Sequence, residues 1–312
     1  MTKLHIYLQS DPNQENFEPF HFGPNDFQPL QAAHPNLELV FLNSTREMLE
    51  QLPNSEWLDT WYFDKRWYLE APKLRAVFTP AAGKNWVHED PRAKIPTYYG
   101  SFHGPMIAET MLSYVLYFSR NLPAMIEQQT NRTWDRTTQR YSRLLKDQTA
   151  LILGYGNIGR HCGQLLTSMG LTVYGYQRAH SMGQDDSTNV VYTSDSELNS
   201  IIPTVDHVIN LLPGDPTTND FIDRSFLTKM HNNSFLYNFG RGTTVCETSL
   251  LWALQNDIIA GAALDVTAIE PLPVESPLWQ LKNTLVTPHS SCVYTEYQDL
   301  HVHQLLDLIK FQ

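Results

Sequence analysis

The sequence predicts an α/β protein whose larger part is a doubly wound parallel sheet. Three features carry that prediction. After Lys146, short apolar runs alternate with segments of helical period; a Gly-x-Gly-x-x-Gly stretch joins the first run to the first helix; and several runs end in chemically useful polar residues. Strands alternating with helices over this length form a sheet covered on both faces, the setting in which parallel sheets occur.

Residues 4–8, 37–42 and 76–79 read as strands and residues 46–52 as a helix. Turns rich in Pro, Asn and Asp separate them, so the first hundred residues suggest a smaller α/β unit. In residues 104–119, Ile107, Met111, Tyr114, Val115 and Phe118 recur at three- and four-residue spacing, a helix. Residues 150–153 are the first buried strand of the larger part. Ile158, Cys162, Leu165, Leu166 and Met169 then follow a helical period that Gly170 stops. Residues 171–176, 205–212, 235–239, 261–266 and 284–287 complete the expected strands.

The 312 residues suffice for two cores, and 42% hydrophobic with 18% charged residues is a globular balance. The excess of 33 acidic over 22 basic side chains, −11 in all, comes without a Lys/Arg cluster and argues against a nucleic-acid partner. A small anion remains compatible, because one nearby Arg outweighs a distant field. Residues 1–9 lack the pattern of a signal peptide, and the most apolar stretch, 106–118, is broken by Glu109 and Ser113 and is too short to span a bilayer. Cys162, Cys246 and Cys292 are too scattered for a disulfide framework or a zinc site. The expectation is a reduced, cytoplasmic protein with no membrane partner and no metal.

Gly154-Tyr-Gly156-Asn157-Ile158-Gly159 directly follows a strand and opens an amphipathic helix, the context in which this glycine pattern signals a Rossmann dinucleotide site. Gly154 permits the tight turn, Gly156 lets a pyrophosphate approach the backbone, and Gly159 allows close helix packing. The helix N-terminus offers N–H groups and a positive dipole end to the phosphates. An NAD site usually has a carboxylate at the end of the next strand. Here the residues are Gln177 and Arg178, and an Arg can bind the 2′-phosphate that a carboxylate repels. NADP is therefore the expected cofactor, with NAD as the other option. Leu212-Pro213, closing a later strand, are assigned to the same site.

Three further segments lie past strand ends, the edge at which open α/β sheets bind ligands. They are Asn238-Phe-Gly240-Arg241-Gly242, Asp265 to Glu270-Pro-Leu-Pro273, and Thr287-Pro288-His289. Their chemistry fits hydride transfer to a ketone: His289 protonates the oxygen, Glu270 orients and favours the imidazolium, and Arg241 anchors a substrate carboxylate. Singly, each has an ordinary reading as a structural His, a turn-capping Arg or a solvated Glu.

These stretches, with Ala260-Gly-Ala-Ala-Leu-Asp265-Val and Pro277-Leu-Trp279, resemble the D-isomer-specific 2-hydroxyacid dehydrogenase family from about residue 145 to 289. The resemblance implies a catalytic triad of Arg241, Glu270 and His289, with Asp265 near the nicotinamide carboxamide. It implies that Ala81-Ala82-Gly83 is the loop receiving the substrate carboxylate. It also implies a flavodoxin-like substrate domain of residues 1–100 and 290–312, a cofactor domain of residues 101–289 that dimerises, and a hinge or dimer contact near residues 104–119 and Trp134. Glyoxylate or hydroxypyruvate, reduced to the D-2-hydroxy acid, is the substrate type it suggests. Cys246 stands where the family commonly has Asp. The other reading weighed is a non-catalytic dinucleotide-sensing protein of the same fold. A metal site on His301-Val-His303 is disfavoured, since i, i+2 side chains diverge on a helix, and both are expected on the surface.

Overall fold

The computed structural model describes residues 2–8, 20–177, 184–185 and 190–309. Two compact units result: Met1–His103 with Val293–Gln312, and Gly104–Cys292. The divisions expected after residues 100 and 289 fall instead after His103 and Cys292, because Gly104 opens a helix that belongs whole to the second unit.

The smaller unit contains β1 (Lys3–Tyr7), β2 (Glu38–Phe41), β3 (Trp57–Thr60), β4 (Ala76–Phe78) and β5 (Thr97–Tyr98), all parallel in the order β2-β1-β3-β4-β5. Helices α1 (Gln28–Ala33) and α2 (Thr45–Gln51) connect the first strands. Ser44 caps α2 by accepting from the Glu47 amide at 3.1 Å. The sequence reading missed β3, whose four residues include Asp59 in a fully buried strand. Its partner explains how that carboxylate is tolerated. His301, on the terminal helix Tyr297–Ile309, places Nε2 2.8 Å from Asp59 Oδ2. The expectation that both terminal histidines lie on the surface is corrected for His301, which is 1% exposed. His303 is exposed; two positions on a helix turn the side chain to the opposite face.

In the larger unit α3 (Gly104–Ser119) and α4 (Leu122–Thr130) precede an eight-stranded sheet. Its strands are β6 (Thr149–Leu153), β7 (Thr172–Tyr176), β8 (Gln184–Asp185), β9 (Val190–Thr193), β10 (His207–Asn210), β11 (Phe235–Asn238), β12 (Gly261–Leu264) and β13 (Thr284–Val286). The order is β13-β12-β11-β10-β6-β7-β9-β8, parallel except for β8 against β9. Strand β9 was not foreseen. The chain runs outward from β6 in both directions, so the β6/β10 boundary is the switch point at which such sheets bind ligands.

Burial follows the strand period of two. Leu151, Leu153, Val208, Leu236, Ala262 and Leu264 enter one core, together with residues of α6 (Asp195–Ile201), α7 (Arg224–Lys229) and α8 (Glu247–Gln255). Ala150, Ile152, Ile209, Tyr237 and Ala263 enter the other, with α3 and α5 (Asn157–Ser168). Sheets covered on both faces read as continuous apolar runs for this reason. Cys246 is the N-cap residue of α8, with Ser249 Oγ donating to its Sγ at 3.1 Å.

His207 is fully buried in β10. Its Nε2 donates to Gln148 Oε1 at 2.7 Å, leaving Nδ1 to accept from Tyr237 Oη at 3.0 Å. Burial lowers its pKa to about 4 from an ordinary 6.5. Between these values the unfolded chain binds the proton more readily, so this contribution is whole above pH 6.5 and is lost as pH falls towards 4. The full loss is on the order of 3 kcal/mol. Urea-unfolding midpoints should therefore fall across that window in the wild type, and His207→Gln should flatten that slope.

Candidate functional site

Close backbone approaches line up the ends of the larger unit's strands. Gly154 has φ +89°, and a Cβ there would sit 2.7 Å from the Leu211 carbonyl oxygen at the end of β10. The amides of Gly154 and Tyr155 both donate to the last carbonyl of β7, Tyr176, at 3.0 and 2.9 Å. Gly159 is closed by the loop itself, since a Cβ would meet the Gly154 oxygen at 2.7 Å. Gly156 differs. A Cβ on it would meet nothing within 4 Å, so the backbone faces open space at the first turn of α5. That is a cradle for a group needing close backbone approach, as a pyrophosphate does. Asn157 is exposed there, whereas the Ile158 side chain is half-buried and packs against the core.

Leu212 is buried and Pro213 exposed. The Leu212 oxygen lies 2.5 Å from where a Gly240 Cβ would be, and a Gly214 Cβ would press on Arg241 Cγ at 2.9 Å. Gly242 approaches Thr267 so closely that a Cβ would overlap its carbonyl oxygen at 1.8 Å. This contact joins the Arg241 loop to the Glu270 loop. Glu270 Oε1 accepts from the Thr267 amide at 3.0 Å, and Oε2 faces His289 Nδ1 at 2.8 Å. Arg241, Glu270 and His289 thus stand on neighbouring loops of one sheet edge that also carries the glycine loop.

Partial burial lowers the Arg241 pKa against the opposing pull of Glu270, and the guanidinium remains charged at neutral pH. Burial pushes the Glu270 carboxyl up, but the His289 hydrogen bond, the Thr267 amide and Arg241 together hold it below its ordinary value. It is a carboxylate at neutral pH. The His289 and Glu270 side chains are 37% and 38% exposed, so the pair is open to a ligand from solvent. Cys292 nearby is no nucleophile: burial and the Asp265 charge push its thiol up to about 11.

Asp265 has a position the sequence did not disclose. It is 1% exposed; its Oδ1 accepts from Thr287 Oγ1 at 2.7 Å and Ser290 N at 2.9 Å, and Oδ2 from Ser291 N at 3.0 Å. Sequence reasoning also missed Asn210 and Thr244. Asn210 Nδ2 donates to Asn238 Oδ1 at 2.8 Å and Thr244 Oγ1 at 2.6 Å, tying the ends of β10 and β11 together. An amide closing an otherwise apolar strand was the available signal. Gln177 is half-buried just past β7, and Arg178 lies outside the described residues. Tyr176 Oη donates to Asp195 Oδ1 at 2.6 Å, a carboxylate that comes from the start of α6 and not from the strand end. Ala82 and Gly83 follow β4 in the smaller unit, Ala82 exposed and Gly83 half-buried. Among the described residues, no three His, Cys, Asp or Glu side chains gather as a metal site, and no helix is long and apolar enough to cross a membrane.

Residues 112–291, more than half of the chain, match the family described as D-isomer specific 2-hydroxyacid dehydrogenase, NAD binding domain. The chain belongs to this family. Among its D-isomer specific 2-hydroxyacid dehydrogenase relatives is a glyoxylate/hydroxypyruvate reductase A of Escherichia fergusonii, 28% identical over 279 residues, covering 83% of this chain and 88% of the relative. A D-3-phosphoglycerate dehydrogenase of Escherichia coli K12 is 28% identical over 278 residues, 86% of this chain. The match spans only 62% of that relative's length. A D-isomer specific 2-hydroxyacid dehydrogenase of Xanthobacter autotrophicus Py2, solved with NADPH and MES, superposes with a TM-score of 0.83 at 25% identity, over 99% of this chain and 94% of that one.

Proposed function

We propose that this protein reduces a small 2-oxo acid, of the glyoxylate or hydroxypyruvate type, to its D-2-hydroxy acid using NADPH. The observation that carries the reading is the His289–Glu270 pair at 2.8 Å on the sheet edge that also holds Arg241 and the open face of Gly156. Bound through the glycine loop and the start of α5, a reduced nicotinamide dinucleotide supplies a hydride. Arg241 receives the substrate carboxylate through charge-assisted hydrogen bonds and polarises the carbonyl. Glu270 accepts from Nδ1, which leaves Nε2 of the imidazolium as the group that protonates the carbonyl oxygen. One hydride and one proton convert the carbonyl to the alcohol. In the reverse direction, neutral His289 takes the proton back.

A steady-state panel of 2-oxo acids, run with NADPH and with NADH, tests the reading. Turnover of small oxo acids supports it; no turnover of any acid favours a dinucleotide sensor. The NADP preference rests on Gln177-Arg178 in place of a carboxylate, and the Xanthobacter relative carries NADPH. Arg178→Ala should weaken NADPH more than NADH in fluorescence titrations, and equal losses would remove that preference.

The protein acts in this reading as a homodimer formed by the larger units. Support comes from apolar side chains left exposed on α4 and in the segment before β6: Ile126 is 52% exposed, Trp134 89% and Tyr141 65%. Large apolar side chains left in water are the material from which protein contacts are built. Sedimentation should give twice the chain mass, and Trp134→Asp should shift the protein towards monomer; an unchanged mass in that variant would move the contact elsewhere.

A further inference from the structure

The loop carrying His289 is held by more than the Glu270 pair. His289 has φ +49°, the left-handed region that costs a non-glycine residue strain, and such backbone persists only where its surroundings over-determine it. Here the His289 amide donates to the Asp265 and Thr287 carbonyls at 2.8 and 3.0 Å, while the Asp265 carboxylate takes the next two amides, Ser290 and Ser291. The same carboxylate accepts from Thr287 Oγ1 at 2.7 Å. That bond uses the single proton of the Thr287 hydroxyl and leaves its lone pairs facing α3. Tyr114, on the buried face of α3 and 9% exposed, donates its hydroxyl to Thr287 Oγ1 at 2.8 Å. Its ring leans on Phe239, 5.3 Å between centroids. Burial and the Asp265 charge raise the Tyr114 pKa against the Thr287 bond, so the phenol stays protonated and remains a donor.

We infer that Tyr114 is a positioning residue for the proposed reaction. Its donation holds the Thr287 hydroxyl in place as that hydroxyl donates to Asp265, and the chain Tyr114–Thr287–Asp265 holds the backbone that aims His289 at Glu270. Any buried tyrosine hydroxyl needs a partner; what marks Tyr114 is that its partner is the hydroxyl of Thr287, two residues before His289 and already bonded to Asp265. The Tyr114 hydroxyl spans from α3 to a residue 173 positions away, at the mouth of the site. In a hydrogen-bond chain each donor strengthens the next, so loss of the first link loosens the last.

The kinetic part of the test rests on the function proposed above; a second, spectroscopic part does not. Tyr114→Phe keeps the ring and removes one oxygen. It should lower kcat about five- to ten-fold, the effect of one neutral hydrogen bond, while the oxo-acid KM and the NADPH affinity stay within about two-fold. Thr287→Val cuts the same chain from the other side. The double variant should be no slower than Thr287→Val alone, because the two positions act as one unit. In the unliganded protein, the His289 Cε1 proton–carbon signal, assigned by its absence in His289→Gln, should move or split in Tyr114→Phe. Wild-type kcat, additive losses in the double variant, or an unmoved His289 signal would each overturn the inference. Should Tyr114→Phe fail to fold, the Thr287→Val signal carries the same expectation. If the unaltered protein reduces no oxo acid, the proposed function fails alone, and the His289 signal still decides whether Tyr114 positions the ring.

Discussion

His289→Ala is expected to reduce the oxo acid roughly a hundred- to ten-thousand-fold more slowly than the unaltered protein, the usual contribution of a general acid. Affinity for the dinucleotide should not change, because the imidazole sits on the loop after β13 while the phosphate cradle lies at the start of α5. The loss falls on kcat because the proton is needed only as charge builds on the carbonyl oxygen. Glu270 gives the effect a sign in pH. Its carboxyl is held below its ordinary value in the folded protein. The carboxylate that orients His289, and whatever stability the pair adds, are therefore present above the normal carboxyl range and lost as pH falls through the depressed value. Steady-state kcat together with NADPH fluorescence titration checks both halves of the prediction. A variant with a near-normal rate takes His289 out of the reaction.

Gly156→Val should weaken NADPH binding by about a hundred-fold or more and leave the fold intact, a loss of roughly 2.7 kcal/mol or greater in binding. The separation follows from what each glycine meets. At Gly156 a side chain enters space that no protein atom occupies within 4 Å, and φ is −93°, outside the left-handed region. Only an incoming phosphate would feel the isopropyl group. At Gly154 the same change meets the Leu211 carbonyl at 2.7 Å on a backbone with φ +89°, so the fold suffers along with binding. Thermal unfolding and fluorescence titration on the two variants separate these effects. An unchanged NADPH Kd in a folded Gly156→Val protein would place the phosphates elsewhere.

Local rules made much of this architecture legible. Helix α3 begins and ends where the periodicity of Ile107, Met111, Tyr114 and Phe118 put it, because one apolar stripe is enough to define a buried helix. The strands β6, β7 and β10 to β13 were legible as apolar runs, since both faces of each pack against a core, those of β13 only partly. Strand β3 was not, for it is four residues long and contains Asp59. That carboxylate is tolerated in a strand because His301, 242 positions later, comes to it. Separation along the chain, here of 22 to 26 positions, also hid the nature of Asp265. Its place after β12 was visible, but that its oxygens hold Thr287, Ser290 and Ser291 was not.

The order of residues alone determined the glycine loop, the alternation of strands and helices, and the chemical types waiting past the strand ends. Each of these depends on backbone freedom or on contacts within a few positions. Folding in three dimensions decided which of those side chains meet. Parallel pairing sets β11, β12 and β13 side by side, so residues 241, 270 and 289 share one edge. It also decided that Tyr114 reaches Thr287 and that His289 is held at a positive φ. A hydrogen bond is specified by the position of both partners, and when they lie far apart along the chain only the packed sheet and its helices supply that second coordinate.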